Sequence, residues 1–186
     1  MHADAQAVLQ FWFGDEPVAR AEWFRKDAGF DGSITTRFGA LIDAVLGGQG
    51  FGADPVEQLA ALIVLDQFTR NAFRDTPRAF AGDAAALELA QGLCDRGEDL
   101  RLPTWQRAFA YLPFEHAEDL VLQDRAVDCF EALAQQAPEV GAILDYAHKH
   151  RDVIRRFGRF PHRNAILGRA STAEELDFLT QPGSRF

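Results

Sequence analysis

Histidine and arginine side chains concentrate in one segment near the C-terminus of this chain. Residues 148–169, HKHRDVIRRFGRFPHRNAILGR, contain three of the five histidines and seven of the nineteen Lys and Arg residues, with Asp152 as the single acid. This gives the segment a formal charge of +6, whereas the remaining residues carry −15. Imidazole exchanges protons near neutral pH, and guanidinium groups bind carboxylate or phosphate through paired hydrogen bonds. The segment therefore predicts one wall of a polar site.

The helix that leads into this segment places a histidine on its apolar side. Ile143 and Ile154 mark that side at helical spacing, and His150 falls between them. A single histidine in such a position is more often a hydrogen-bonded core residue than a catalytic one. Gly158 is predicted to end the helix, and a turn rich in hydrogen-bond donors follows. The candidate ligand-binding residues of this turn are Arg159, His162, Arg163 and Asn164.

A second polar patch opens the long helix predicted over residues 113–136. Followed back from Phe130, the inward face of this helix carries Glu115, His116, Asp119 and Gln123. His116 and His150 are the candidate general acid and base, with Glu115 or Asp119 orienting an imidazole. The helix dipole also favours acids in a first turn, which is a structural reason for finding them there.

A third patch interrupts an apolar helix in the middle of the chain. Asp66 and Arg70 continue its buried stripe at an i,i+4 spacing that suits an ion pair. Gln67, Asn71 and Arg74 form an adjacent polar row, and Arg70 and Asn71 are added to the candidate ligand-binding residues. Taken alone, this patch is better explained as a buried salt bridge at a polar helix end.

The three patches together contain more polar groups than one ion pair requires. We expect them to form one connected cluster, because an arginine buried without an acid costs several kcal/mol. The members of this expected cluster are Asp66, Arg70, Glu115, Asp119, His150 and Arg163. Two interpretations stay open, since a network of ion pairs resembles a site. The cluster borders an anion pocket with Arg159, Arg163 and Asn164 as its main donors, or it only fastens the C-terminal turn.

The elements that must position these side chains are helices. A helix capped by Asp4 is expected to end near Gly14, and one rich in apolar residues starts at Asp54-Pro55. No alternation typical of strands occurs, so the fold class is all-α, with about eight antiparallel helices in a single domain over residues 1–186. The residues expected to be most deeply buried are Phe38, Ile42, Leu59, Leu62, Ile63, Leu87, Phe130 and Ile154.

Composition and charge exclude several classes of function. A net charge of −9 and a pI near 5.0 argue against binding to nucleic acid or to an anionic membrane. No apolar stretch approaches the roughly 18 residues of a spanning helix, and the N-terminus does not resemble a signal peptide. Cys94 and Cys129 follow no disulfide or metal-binding pattern. The expectation is a cytoplasmic protein without a metal or another cofactor.

Several motifs resemble those of a bacterial family catalogued as domain of unknown function 924. They are FWFG near the start, LDQFTRN, LPFEHAEDL with Gln123, HRDVIRRFGRFPHRNAILGR, and a capping box at residues 171–174. The similarity runs from about Val8 to Leu179. It implies an all-helical fold of tetratricopeptide-like hairpins and implies no activity. Ala117 stands where many members are expected to carry serine, which puts hydroxyl-dependent chemistry at that position in doubt.

Three functions remain open on the sequence. The first is a pocket that binds a small anionic ligand and acts on it by acid–base catalysis, although no nucleophile elbow, phosphate loop or HExxH motif occurs. The second is a tetratricopeptide-like module that binds a peptide carboxylate or an acidic segment. The third is a purely structural polar network. The sequence predicts neither the ligand nor the oligomeric state.

Overall fold

A computed structural model describes residues 1–15 and 18–184 of this chain, and within these ranges it is helical without any strand. The all-α prediction is therefore confirmed. The α-helices are α1 (Ala3–Phe13), α2 (Ala28–Leu46), α3 (Pro55–Leu62), α4 (Thr69–Ala72), α5 (Asp83–Asp95), α6 (Thr104–His116), α7 (Leu120–Gln136), α8 (Gly141–Phe157) and α9 (Ala173–Phe178). A π-helix spans Ile63–Phe68, and 3₁₀ helices span Ala21–Phe24, Pro77–Phe80, Asp99–Arg101, Pro138–Val140 and Pro161–Arg163.

The chain divides into two compact units. The first comprises Met1–Arg74 and Arg78–Pro113, and the second comprises Asp75–Pro77 and Phe114–Phe186. The expected single domain over residues 1–186 stays a prediction. Among the described residues, no helix has both the length and the apolar character needed to cross a membrane.

One continuous helix forms the centre of the first unit, because α3, the π-helix and α4 follow one another without a break in helical backbone. Asp54 caps its start by accepting a hydrogen bond from the Val56 N–H at 2.9 Å, as predicted. Every residue over 59–69 is buried. The prediction of a central helix that is apolar nearly all round is therefore confirmed.

A glycine lies in close contact with the backbone of the π-helix. A Cβ atom added to Gly82 would lie 2.2 Å from the carbonyl oxygen of Leu65, which belongs to the π-helix. The same carbonyl accepts a hydrogen bond from Thr69 Oγ1 at 2.7 Å. Only glycine leaves room at position 82 for the backbone of this segment. The sequence contains no signal for the π-helix. Apolar residues lie on all faces of this helix, so their spacing does not reveal a change of helical period.

Aromatic residues fill the first unit around the end of α1. Trp12 is fully buried and lies edge-on to Phe109, with ring centroids 5.5 Å apart. The carbonyl of Trp12 accepts hydrogen bonds from Arg20 Nη1 and Trp23 Nε1, both at 2.9 Å. Gly14 ends the helix at a φ of 70°, as expected. The FWFG motif is therefore explained by packing and by capping of a helix end.

The second unit is built on α7 and α8, which pack along their lengths as a helical hairpin. Phe130 of α7 and Ile154 of α8 are buried as predicted. Gly158 ends α8 in the left-handed conformation, with a φ of 69° and its N–H donating to the Ile154 carbonyl. The chain then turns into the 3₁₀ helix that carries His162 and Arg163.

The long helix expected over residues 113–136 is wrong. Pro113 lies inside α6, and the helix breaks after His116 before α7 begins at Leu120. Asp119 causes the restart, because its backbone is extended and its carboxylate accepts from the N–H groups of Val121 and Leu122.

Three smaller expectations are also corrected. His2, not Asp4, caps α1, because its imidazole accepts a hydrogen bond from the Asp4 N–H at 3.2 Å. Leu87 is only half-buried, since α5 turns Ala86, Ala90 and Leu93 inwards instead. The capping box of α9 is formed one residue later than predicted, by Thr172 and Glu175.

Candidate functional site

The backbone of Phe160 is held by an ion pair of the second unit. Its N–H donates to Glu118 Oε1 at 2.8 Å, and its carbonyl accepts from Arg169 Nη2 at 3.2 Å. Glu118 and Arg169 bind each other through two hydrogen bonds of 2.5 and 2.9 Å. Burial alone would raise the pKa of Glu118, but the hydrogen bonds from Arg169 and Phe160 lower it overall. The turn after α8 is thereby fixed where α6 meets α7.

The ring of Phe160 is fully buried and brings three nitrogen-bearing side chains together. The ring of His150 lies edge-on at a centroid distance of 5.4 Å, and that of His162 lies tilted at 5.7 Å. The Arg163 guanidinium carbon lies 4.4 Å from the centre of the Phe160 ring. We name this group, together with Glu115 and His116, the Phe160 cluster.

A carboxylate pairs with the buried imidazole of the Phe160 cluster. Nδ1 of His150 lies 3.0 Å from Glu115 Oε1 and 2.9 Å from the carbonyl oxygen of Tyr146. Both neighbours accept hydrogen bonds, so Nδ1 carries the proton of the neutral ring and Nε2 is the basic nitrogen. Glu115 therefore fixes both the orientation and the tautomer of His150. The sequence left open whether Glu115 or Asp119 orients an imidazole.

The environment of His150 disfavours its charged form. Burial is the largest cause and lowers the pKa of His150 to about 3, although the Tyr146 carbonyl opposes this. The charge of Arg163 lowers the pKa of His150 further, and so do His116 and His162 whenever they are protonated. The imidazole of His150 is therefore neutral at physiological pH.

Side-chain donors cover the backbone carbonyls at the end of α6. Gln123 is fully buried, and its Nε2 donates to the Glu115 carbonyl at 2.6 Å and to the Ala117 carbonyl at 2.7 Å. Arg163 Nη1 donates to the intervening His116 carbonyl at 3.0 Å. These bonds satisfy carbonyls that the helix itself leaves without partners, and they fix Glu115 and His116 in place. The sequence placed Gln123 inwards but gave no sign of this capping role.

Two of the predicted ligand donors bind a carboxylate of the chain itself. Arg159 donates to both carboxylate oxygens of Glu175, at 2.7 and 2.9 Å. Asn164 Nδ2 donates to Glu175 Oε2 at 3.2 Å and to Ser171 Oγ at 3.0 Å. The hydrogen bond from Arg159 is the main reason that the pKa of Glu175 falls to about 2. Glu175 is a site residue that the sequence analysis missed, and its only signal was the capping box.

The two ion pairs of this region form one network. Arg169 Nε donates to Asn164 Oδ1 at 3.0 Å, which connects the Glu118–Arg169 pair to the Arg159–Glu175 pair. The segment between α8 and α9 is therefore fastened at both ends by bidentate arginine–carboxylate contacts.

Asp119 and the two outer histidines lie nearer to solvent. Asp119 is exposed and caps α7, so its expected place on the inward face is wrong. His116 and His162 are half-buried. The Phe160 cluster therefore extends from a buried pair to residues that solvent reaches.

Arg70 and Asn71 lie in the first unit and have partners there. Arg70 binds both oxygens of Asp83, at 2.7 and 3.1 Å, and lies 3.7 Å from Asp66. Burial lowers the pKa of Arg70, but the charges of Asp66 and Asp83 raise it overall. Asn71 donates to the Gln67 carbonyl at 2.7 Å. The ion pair of Asp66 and Arg70 is present as expected, whereas their membership of one cluster with the second unit stays a prediction.

Over residues 1–15 and 18–184, no three His, Cys, Asp or Glu side chains are arranged to hold a metal ion. The side chains of the Phe160 cluster are of types that proteins use for acid–base chemistry and for anion binding. Its buried Glu115–His150 pair is suited to proton exchange, and Arg163 supplies a permanent positive charge.

Comparison with known proteins gives a family and no activity. A solved structure of a protein of unknown function from Agrobacterium tumefaciens, ATU0120, is similar with a TM-score of 0.77 and 40% sequence identity. The similarity covers 94% of this chain and 96% of that one. No curated protein matches this chain. A family model described as bacterial protein of unknown function (DUF924) matches residues 8–183, and the chain belongs to that family.

Proposed function

We propose that the Phe160 cluster binds a small anionic ligand and that His150 exchanges a proton with it. The proposal rests on one observation. His150, His162 and Arg163 pack against the same buried ring, while Glu115 lies 3.0 Å from Nδ1 of His150. This is the arrangement of an oriented imidazole beside a permanent cation.

The charges and burial of the cluster favour an anion. Arg163 is 7% exposed and lies against an aromatic ring, where little water competes for its hydrogen bonds. A guanidinium in such surroundings attracts an anion more strongly than an exposed one does. His116 and His162 lie at the accessible side of the cluster and add further donors.

The neutral imidazole of His150 is the proposed proton acceptor. Glu115 fixes the proton on Nδ1 and stabilises the imidazolium that forms when Nε2 accepts a second proton. This assignment keeps His150 and Glu115 in roles expected from the sequence, whereas His116 supplies only a further donor. It leaves Asp119 out, because that carboxylate caps α7 in solvent.

Calorimetric titration with sulfate, phosphate and succinate at pH 6 tests the proposal. Arg163→Gln is expected to weaken binding about 10–100-fold, the value of a charge-assisted hydrogen bond. The matched control is Arg155→Gln in the same segment, since Arg155 is 52% exposed and pairs with Asp152 and Asp124. That variant is expected to bind like the wild type. Titration shows the proposal to be wrong if none of the three anions binds, or if both variants lose affinity equally.

A second candidate function is structural. The Arg159–Glu175 and Arg169–Glu118 pairs favour it, because each uses both carboxylate oxygens and together they fasten the segment after α8. Under this alternative the polar network contributes to stability, and no anion binds to the folded protein. The same titration therefore separates the two candidates.

A further inference from the structure

We propose that the anion binds to the Phe160 cluster together with a proton, which His150 takes up. The inference rests on the anion site proposed above. It adds a control of that site by pH, with affinity that rises as the pH falls.

Formal charges around His150 balance while the imidazoles are neutral. The groups that face His150 are Glu115 and His116 at the end of α6, His162 and Arg163 of the 3₁₀ turn, and the Tyr146 carbonyl of α8 itself. Glu118 accepts a hydrogen bond from Arg169, and the charge of Arg163 also lowers the pKa of Glu118. One carboxylate therefore matches each arginine, and an arriving anion brings a negative charge that an imidazole of the cluster can neutralise by taking up a proton.

The charged form of His150 is strongly disfavoured in the free protein, and a nearby anion would stabilise it. The pKa of His150 is about 3, mainly because of burial, so its imidazole is neutral at neutral pH in the free protein. A unit negative charge about 4 Å away favours the imidazolium by about a thousandfold at an effective dielectric constant of about 20. The pKa of His150 in the complex is then about 6.

The sign of the pH dependence follows from these two values. The complex binds more protons than the free protein wherever the pH lies between the pKa of the free protein and that of the complex. Affinity therefore increases as the pH falls below about 6, by at most about tenfold for each pH unit. Between pH 7.5 and pH 5.5 the expected gain is about fourfold.

Sulfate is the probe of choice, because it does not titrate between pH 5 and 8. Titration calorimetry at pH 5.5 in two buffers of different ionisation enthalpy measures the protons taken up with each sulfate. The wild type is expected to take up at least about 0.8 proton more than His150→Asn, since this value is for one negative charge and sulfate carries two. Asparagine keeps an N–H donor towards Glu115 and the Tyr146 carbonyl, so the cluster retains that contact.

The outcomes distinguish this inference from the proposed function. Sulfate binding with equal proton uptake in wild type and His150→Asn overturns the proton coupling and leaves the anion site standing. An absence of sulfate binding at pH 5.5 and at pH 7.5 overturns both the proton coupling and the proposed anion site.

A measurement on the wild type covers the case in which His150→Asn does not fold. The imidazole NMR resonances of His150 at pH 5.5 are expected to change from neutral to charged when sulfate is added. An imidazole that stays neutral in the sulfate complex overturns the inference.

Discussion

The single residue Glu175 accounts for two of the hydrogen-bond donors that the sequence assigned to a ligand. The excess of donors over 148–169 was an argument for an anion pocket, with Arg159 and Asn164 among its main donors. Both donate to Glu175, which also accepts from the Thr172 N–H at 2.8 Å. Arg163, the third predicted main donor, donates to the His116 carbonyl and packs against the Phe160 ring.

Replacement of Glu175 by glutamine is expected to destabilise the protein by about 1.5–3 kcal/mol, because the hydrogen bonds from Arg159 then lose their charged acceptor. Glu174→Gln is the matched control, since that side chain is 61% exposed and its pairing with Arg156 contributes about 0–1 kcal/mol. Urea denaturation of both variants measures the difference. Equal effects would contradict the assignment of Glu175 as the anchor.

Glu175 also predicts an acid-sensitive contribution to stability. Its pKa is about 2 in the folded protein, below the ordinary value of 4.5. The stabilisation is therefore complete above about pH 4.5 and is lost as the pH falls from 4.5 towards 2.

Among the elements, helical structure followed from the sequence, and so did those helix boundaries that neighbouring residues set. The predicted cap at Asp54 and the stops at Gly14 and Gly158 are confirmed, because each depends on neighbouring residues only. The break between α6 and α7 depends on a side chain six or more residues away. Gln123 supplies the donors that allow α6 to end after His116.

Alanine at position 82 is expected to cost about 1–3 kcal/mol, since its Cβ would clash with the Leu65 carbonyl of the π-helix. The backbone of Gly82 has ordinary negative φ, so the cost is steric and not conformational. Gly39→Ala in α2 is the control, because a Cβ there meets nothing within 4 Å. That change is expected to stabilise by about 0.5–1 kcal/mol. Thermal or urea unfolding of the pair checks the opposite signs.

At the scale of the whole molecule, the stability of the fold is expected to fall below neutral pH because His150 is buried in its neutral form. Its pKa is about 3 in the folded protein and near 6.5 in an unfolded chain, so the unfolded state binds more protons between these values. The contribution lost between pH 7 and pH 5 is about 2 kcal/mol.

Urea unfolding at pH 7 and pH 5 measures this loss. His150→Asn is expected to lose about 2 kcal/mol less than the wild type over that range, while other histidines contribute equally to both proteins. An identical loss in the two proteins would show that His150 does not titrate on unfolding. A bound anion is expected to reduce the loss, since it favours the charged imidazole in the folded state.

The all-α class and the buried helix at the centre of the first unit could be predicted from the sequence alone. Both follow from helical periodicity and from the spacing of apolar residues. Which acid each arginine meets, and that Glu115 and not Asp119 pairs with His150, follows from the folded structure alone. It placed Glu175 against Arg159 and Glu118 against Arg169, across 16 and 51 residues of sequence. The physical reason is that an ion pair requires closeness in space, and neither charge nor periodicity encodes which distant turns come together.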